Sequence, residues 1–269
     1  MSNEPKGAMH FEGRKSIGAM EAAENQRRWD EKHYQTVNKK PLHWYDITRA
    51  HLNFEVAKGG IIQKIGTSKP VEERFKERLE ELGVKPNPEV KKNDPIAAKM
   101  SNQIVEFVFS GDHEVMNMMA FGNQAVDFER DGTADNRHIQ RMNEIEQWAT
   151  DLYGWMAKKY GEENIIGFDV HLDETTAHCH ATIIPVVMRT EKKTGRERPV
   201  VSYKGLFGKD KATGQEIMKE LHTELYEQVN SKYGLMRGDP VEISGAQHKD
   251  KVQMYYQLKR ELPELENRA

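Results

Sequence analysis

The ten residues HLDETTAHCH, from His171 to His180, constrain this chain more than any other segment. They join two apolar, β-branched runs, IIGFDVH and HCHATIIPVV, through a six-residue spacer that suits an antiparallel hairpin. Side chains alternate faces along a strand, so His178 and His180 point the same way, roughly 6–7 Å apart at Cα. Reversal through LDETTA brings His171 back beside His178 on that face. Three imidazoles then converge as a ligand set for a divalent metal, with a coordination position left open. On ligand softness alone such a set accepts Zn²⁺, Co²⁺ or Ni²⁺ as well as harder ions. Glu174, just past the strand end, is placed either as a fourth ligand or as a group that takes or positions a proton. Asp173 is placed to orient a ligand imidazole from behind.

Cys179 is the single cysteine, which excludes an internal disulfide and any multi-cysteine zinc or iron–sulfur site. No stretch approaches the roughly 18 consecutive apolar residues of a membrane span, and the start, MSNEPKGAMHFEGRKS, lacks the apolar centre of a secretory signal, so a cytoplasmic protein is expected. The formal net charge of −3 gives no global attraction to nucleic acid.

Along the chain, polar helix-permissive residues run from Gly18 to Tyr34. A first strand is expected in HLNFEV, where Leu52, Phe54 and Val56 alternate with His51, Asn53 and Glu55, and Gly59-Gly60 ends it. A helix carries Phe75, Leu79 and Leu82 and closes at Gly83. IVEFVF (104–109) reads as the second strand, and a long amphipathic helix follows through Ile139, Met142, Ile145, Trp148, Leu152 and Trp155 to Tyr160. After the histidine hairpin comes a basic loop, then a helix with Ile217, Leu221, Leu225 and Val229 on one face, ended by Gly234. The expected class is α+β, an antiparallel sheet with helices packed on it and helical additions. One domain is expected over 1–240, including the N-terminal helical segment, with a charged helix or tail over 241–269.

HLDETTAHCHATIIPV resembles the third motif of the MobV (Pre/Mob) plasmid mobilization relaxases, H-x-D-E-x-x-P-H-x-H, with Ala177 where proline is usual. RAHLNFEV resembles their second motif, R-x-H-L-N-Y-E, and looser similarity runs to about Asp250. The resemblance implies a histidine-hydrophobic-histidine (HUH) nuclease fold and an enzyme that nicks and rejoins one DNA strand at an origin of transfer through a covalent 5′-phosphate intermediate. It implies His171, His178 and His180 as ligands to Mn²⁺ or Mg²⁺, Glu174 as the acid that polarises the nucleophile, and Arg49 and Asn53 as DNA-facing or supporting. Single-stranded or hairpin origin DNA is the implied partner, with accessory mobilization and coupling proteins beside it. The first motif departs from the pattern: the family's H-N-x-R is matched by Glu24-Asn25-Gln26-Arg27, so the nucleophilic histidine is Glu24 here, and the second-motif tyrosine is Phe54. His33, Tyr34 and Tyr45 are the nearby groups able to attack a phosphodiester, and Glu24 is an unusual acceptor. Asn25 and Arg27 are expected to face the DNA.

The basic loop carries Arg189, Lys192, Lys193, Arg196, Arg198 and Lys204 against Glu191 and Glu197, a local net of +4 expected to lie beside the metal and to contact several phosphates. Tyr203 and Phe207 are placed to stack on unpaired bases. Two rival readings remain: a non-catalytic origin-DNA-binding protein with a decayed nucleophile site, favoured by DNA binding without cutting, and a metal-dependent hydrolase of a small substrate, favoured by weak DNA binding.

Overall fold

The computed structural model describes residues 4–39, 44–88, 95–129 and 133–238. Its frame is a six-stranded, wholly antiparallel sheet. In chain order the strands are β1 (Gly7–Arg14), β2 (Phe54–Ala57), β3 (Ile61–Lys64), β4 (Ile104–Gly111), β5 (Ile165–His171) and β6 (His178–Ile183), and in space they run β1-β4-β6-β5-β2-β3. The expected α+β class holds, and the histidine hairpin β5–β6 occupies the centre of the sheet.

Alternation gives the sheet two unlike faces. Phe107, Phe109, Phe168, Val170, Cys179 and Ala181 project to one side, where they bury against the helix α6 (Asn143–Tyr160) through Ile145, Trp148, Leu152 and Trp155. Flanking α6 are α5 (His113–Phe121) and the long α8 (Lys211–Gln228), which is preceded by the short α7 (Tyr203–Phe207). The other face is polar: one register row crosses all six strands as His10, Val108, His180, Asp169, Glu55 and Gln63. Helices α1 (Ala19–Asn25) and α3 (Val71–Glu81) cover part of it, with Ala22, Phe75 and Leu79 in a small second core, while α2 (Glu31–Val37) and the five-residue α4 (Pro95–Lys99) lie outside the sheet. Beneath this cover Glu55 stays satisfied by the backbone N–H groups of Gly66 at 3.1 Å and Ser68 at 2.6 Å.

Four expectations change. The first strand is β1, an edge strand whose Met9 and Phe11 face the core while Ala8, His10 and Glu12, alternating with them, are exposed, so its apolar signal is only two residues deep. HLNFEV is strand only from Phe54, because Ala50–Leu52 forms a 3₁₀ turn. Gly59 and Gly60, both at positive φ, do not merely end β2 but turn it back into β3, a strand not foreseen. The long helix starts at Asn143, leaving Ile139 and Met142 in the preceding turn, and α5 is additional. The expected α3 ends at Leu82–Gly83 as read, and the α8 helix stops at Gln228, six residues before Gly234, which closes a following 3₁₀ turn. The segment 241–269 lies outside the described residues.

At the edge of the polar face, Glu12 pairs directly opposite Glu106, and Arg14 bridges both and also reaches Glu21. Burial, reinforced by Glu21 and only partly offset by Arg14, pushes Glu106 up to about 7 from its ordinary 4.5. A carboxyl with a raised folded pKa contributes stability that is complete below about pH 4 and lost as pH rises through about 7. Glu106→Gln should therefore flatten the decline, gaining on the order of 1–3 kcal/mol at about pH 8.5 and little at pH 5. Urea unfolding at both pH values checks this.

Candidate metal centre

His171 ends β5 directly opposite His178, which opens β6, and His180 follows on the same face. The ring centroids of the three imidazoles stand 4.9–5.1 Å apart, and one nitrogen from each falls within 4.8 Å of the others. Two of the rings are oriented by backbone carbonyls. His171 Nε2 meets the Asn25 carbonyl at 2.7 Å and His178 Nδ1 meets that of Thr176 at 2.8 Å. A carbonyl only accepts, so those ring nitrogens carry the protons and the lone pairs of His171 Nδ1 and His178 Nε2 face each other at 3.3 Å. Two nitrogens bound about 2.1 Å from one ion stand roughly 3.0–3.4 Å apart, so the donor set fits a divalent cation. Burial, then the nearby Arg27 charge, holds the His171 pKa well below its ordinary value, which keeps this imidazole neutral as a ligand must be.

The connector between the strands is clamped at almost every backbone group. Asn53 Oδ1 accepts from the N–H of Leu172 at 2.6 Å and of Asp173 at 3.2 Å. Arg49 donates to the carbonyls of Leu172 and Glu174, and is itself held by Asp46 at 2.8 Å. From the other side, Asn117 on α5 donates to the Thr175 carbonyl and accepts from Ala177 N–H, Ser110 donates to the Ala177 carbonyl, and His113 meets the Thr176 hydroxyl. Asp46, Asn117 and Ser110 carried no sequence signal, because they reach the connector from positions tens of residues away.

Arg27 links this hairpin to the N-terminal segment. It occupies the left-handed position just after α1, at φ 48°, where glycine is usual. The bonds Arg28 N–H to Ala23 and Arg27 N–H to Glu24 close the helix end in the Schellman pattern. From there the guanidinium forks onto Asp173 with two bonds of 2.9 Å and donates to Glu174 at 2.7 Å, its side chain 2% exposed. Burial opposes the charge, but Asp173 outweighs it, so the Arg27 pKa is raised. Glu174 thus stands between Arg27 and the metal position, 3.5 Å from His178 Nε2 and 3.8 Å from His171 Nδ1.

Several expected roles move accordingly. Asp173 grips Arg27, while Asn25 and Thr176 orient the imidazoles that Asp173 was expected to orient. Asn25, Arg27, Arg49 and Asn53 are all buried and bonded within the centre, the supporting one of the two roles expected of Arg49 and Asn53. Tyr34 and Tyr45 are buried with Trp29, the Tyr34 hydroxyl 3.4 Å from Asp173 and the Tyr45 hydroxyl donating to Glu24 at 2.6 Å. Burial first, then Asp173 for one and the Glu24 bond for the other, pushes both phenols upward. His33 is exposed and stacks on Trp29 at 4.8 Å. The basic loop is a two-stranded ribbon of β7 (Val186–Thr190) and β8 (Glu197–Val201). Pro185 lacks the N–H needed to continue the ladder, and the chain leaves the sheet past Ile183, at the opposite end of β6 from His178. Lys192, Lys193, Arg196, Arg198 and Lys204 are exposed, the ribbon being rooted at the far end of β6 from His178, and Phe207 is buried in the core.

A family model described as plasmid recombination enzyme (Mob_Pre) matches residues 126–257. Over 107 residues, 39% of this chain, the sequence is 30% identical to plasmid recombination enzyme type 1 of Staphylococcus aureus, a stretch covering 23% of that protein. The chain thus aligns with less than a quarter of that relative's length. The fold is similar to solved Mn-bound structures of the MobM relaxase domain (MOBV; Mob_Pre) on plasmid pMV158 oriT DNA. One, with a 3′-thiophosphate strand, superposes with a TM-score of 0.58 at 19% identity, and another with 0.57 at 20%, each over 94% of this chain and 99% of that one. The histidine motif, the family model over residues 126–257 and the fold point the same way: the chain is similar to the plasmid recombination (Pre/Mob, MobV) enzymes and shares the fold of the MobM relaxase domain.

Proposed function

We propose that this chain nicks and rejoins one strand of DNA at an origin of transfer, with a divalent cation, Mn²⁺ or Mg²⁺, held by His171, His178 and His180. The supporting observation is the pair of lone pairs at 3.3 Å, each fixed by a carbonyl behind its ring and joined by His180. The MobM relaxase domain, similar in fold, is Mn-bound on oriT DNA. When bound, the cation supplies Lewis-acid polarisation of the scissile phosphate. Glu174 accepts or positions the proton of the attacking group, and Arg27 holds it at the rim of the centre. Among described residues no helix is long and apolar enough to cross a membrane.

For the attacking group, His33 takes precedence because it is exposed, whereas Tyr34 and Tyr45 must first leave their carboxylate partners. Those two engaged phenols also favour the competing reading, a protein that grips origin DNA without cutting it. Denaturing gels of labelled single-stranded and supercoiled origin DNA separate the two. Cutting with Mn²⁺, lost in EDTA, with protein retained on the 5′ end and cutting lost in His33→Phe, is the expected result. DNA bound but uncut under Mn²⁺ and Mg²⁺ alike would establish the competing reading.

A further inference from the structure

Beyond the metal centre, the molecule carries a cavity of about 530 Å³ between α7 and the start of α8. It lies at the other end of the sheet: Tyr203 packs over Gly13, which pairs with Val105, which pairs with Ile183 at the far end of β6 from His178. One wall is apolar, made by Phe11, Phe207 and Met218, and Tyr203 stacks on Phe207 with centroids 5.1 Å apart and planes 28° apart. At the rim Lys204, Lys209 and Lys211 are exposed, and none of them forms an ion pair among the described residues. The one carboxylate lining the cavity, Asp210, caps α8, where it accepts from the Thr213 N–H at 3.0 Å and hydroxyl at 2.8 Å, so that the rim keeps a net positive charge.

The partly exposed Tyr203 ring, backed by Phe207 and edged by three cations, suits a ligand with one aromatic plane and flanking negative charge. An apolar helix seated there would strip water from three exposed ammonium groups. The rim also continues the exposed basic ribbon, since β8 runs through Ser202 directly into α7. We propose that this cavity takes one unstacked nucleotide of a single-stranded DNA, its base against Tyr203 and its flanking phosphates on Lys204, Lys209 and Lys211. The inference rests on the DNA-acting reading above and adds to it a second contact at the far end of the sheet.

Fluorescence anisotropy with a labelled single-stranded oligothymidylate tests it. The triple variant Lys204→Ala/Lys209→Ala/Lys211→Ala should bind about tenfold or more weaker, with a log–log salt slope shallower by about 2, three contacts at about 0.7 each. Tyr203→Ala should weaken binding about fivefold or more and leave the slope unchanged, the mark of lost stacking rather than lost charge. Circular dichroism melting confirms that both variants fold; the lysines are solvent-exposed. If wild type binds and cuts DNA while the triple variant keeps both affinity and slope, the cavity proposal alone falls. If wild type binds no single-stranded DNA, this proposal and the functional reading fall together.

Discussion

His178→Ala is expected to lower Mn²⁺ affinity by more than about 100-fold and to remove DNA cutting with it. Loss of a group that merely orients a ligand typically costs 10–100-fold, and loss of a ligand costs more. The residue is specified twice, by its register opposite His171 and by the Thr176 carbonyl behind its ring, so no neighbouring side chain replaces it. Glu174 is the nearest further donor, and its carboxylate is already engaged by Arg27 at 2.7 Å. Isothermal titration with Mn²⁺, beside the gel assay, reads both effects. Unchanged affinity in this variant would place the metal elsewhere and dismantle the proposed centre.

Arg27→Ala should be the most destabilising single change near the centre, by about 3–5 kcal/mol, since it leaves the carboxylate of Asp173 buried without its partner. Two further contributions act in the same direction: the guanidinium packs over the Tyr45 ring at 4.8 Å, and its bond to Glu174 joins the N-terminal segment to the hairpin. Alanine also inherits the left-handed backbone at this position, which costs more without the ion pairs that hold it. Urea unfolding of wild type, Arg27→Ala, Asp173→Asn and the double variant forms a complete cycle. A double variant markedly more stable than Arg27→Ala alone is the expected outcome. Simple additivity would mean that the fork contributes no coupling, against the geometry.

Both predictions follow from one arrangement: a rigid central hairpin that supplies the ligands, and an N-terminal segment docked onto it through a buried ion pair. That arrangement also reassigns the positive residues. Arg27 and Arg49 look on paper like phosphate contacts, and in the fold they are internal struts. The cations of the β7–β8 ribbon and of the cavity rim, by contrast, are exposed to solvent.

The sequence alone determined the hairpin, the convergence of His171, His178 and His180, and the position of Glu174 beside them. These are local facts: strand periodicity and a six-residue spacer leave one register that puts three imidazoles on one face. It also determined α3, β4 and most of α6, whose apolar spacing is long and regular. Only tertiary structure decided where the remaining charged residues go. Whether an arginine is a strut or a DNA contact depends on the carboxylate it meets, and Asp173 lies 146 residues from Arg27. The same holds for the basic run, which the sequence placed beside the metal because it follows the histidines closely. Strand direction roots it the length of β6 away from His178, and Pro185 then turns it out of the sheet.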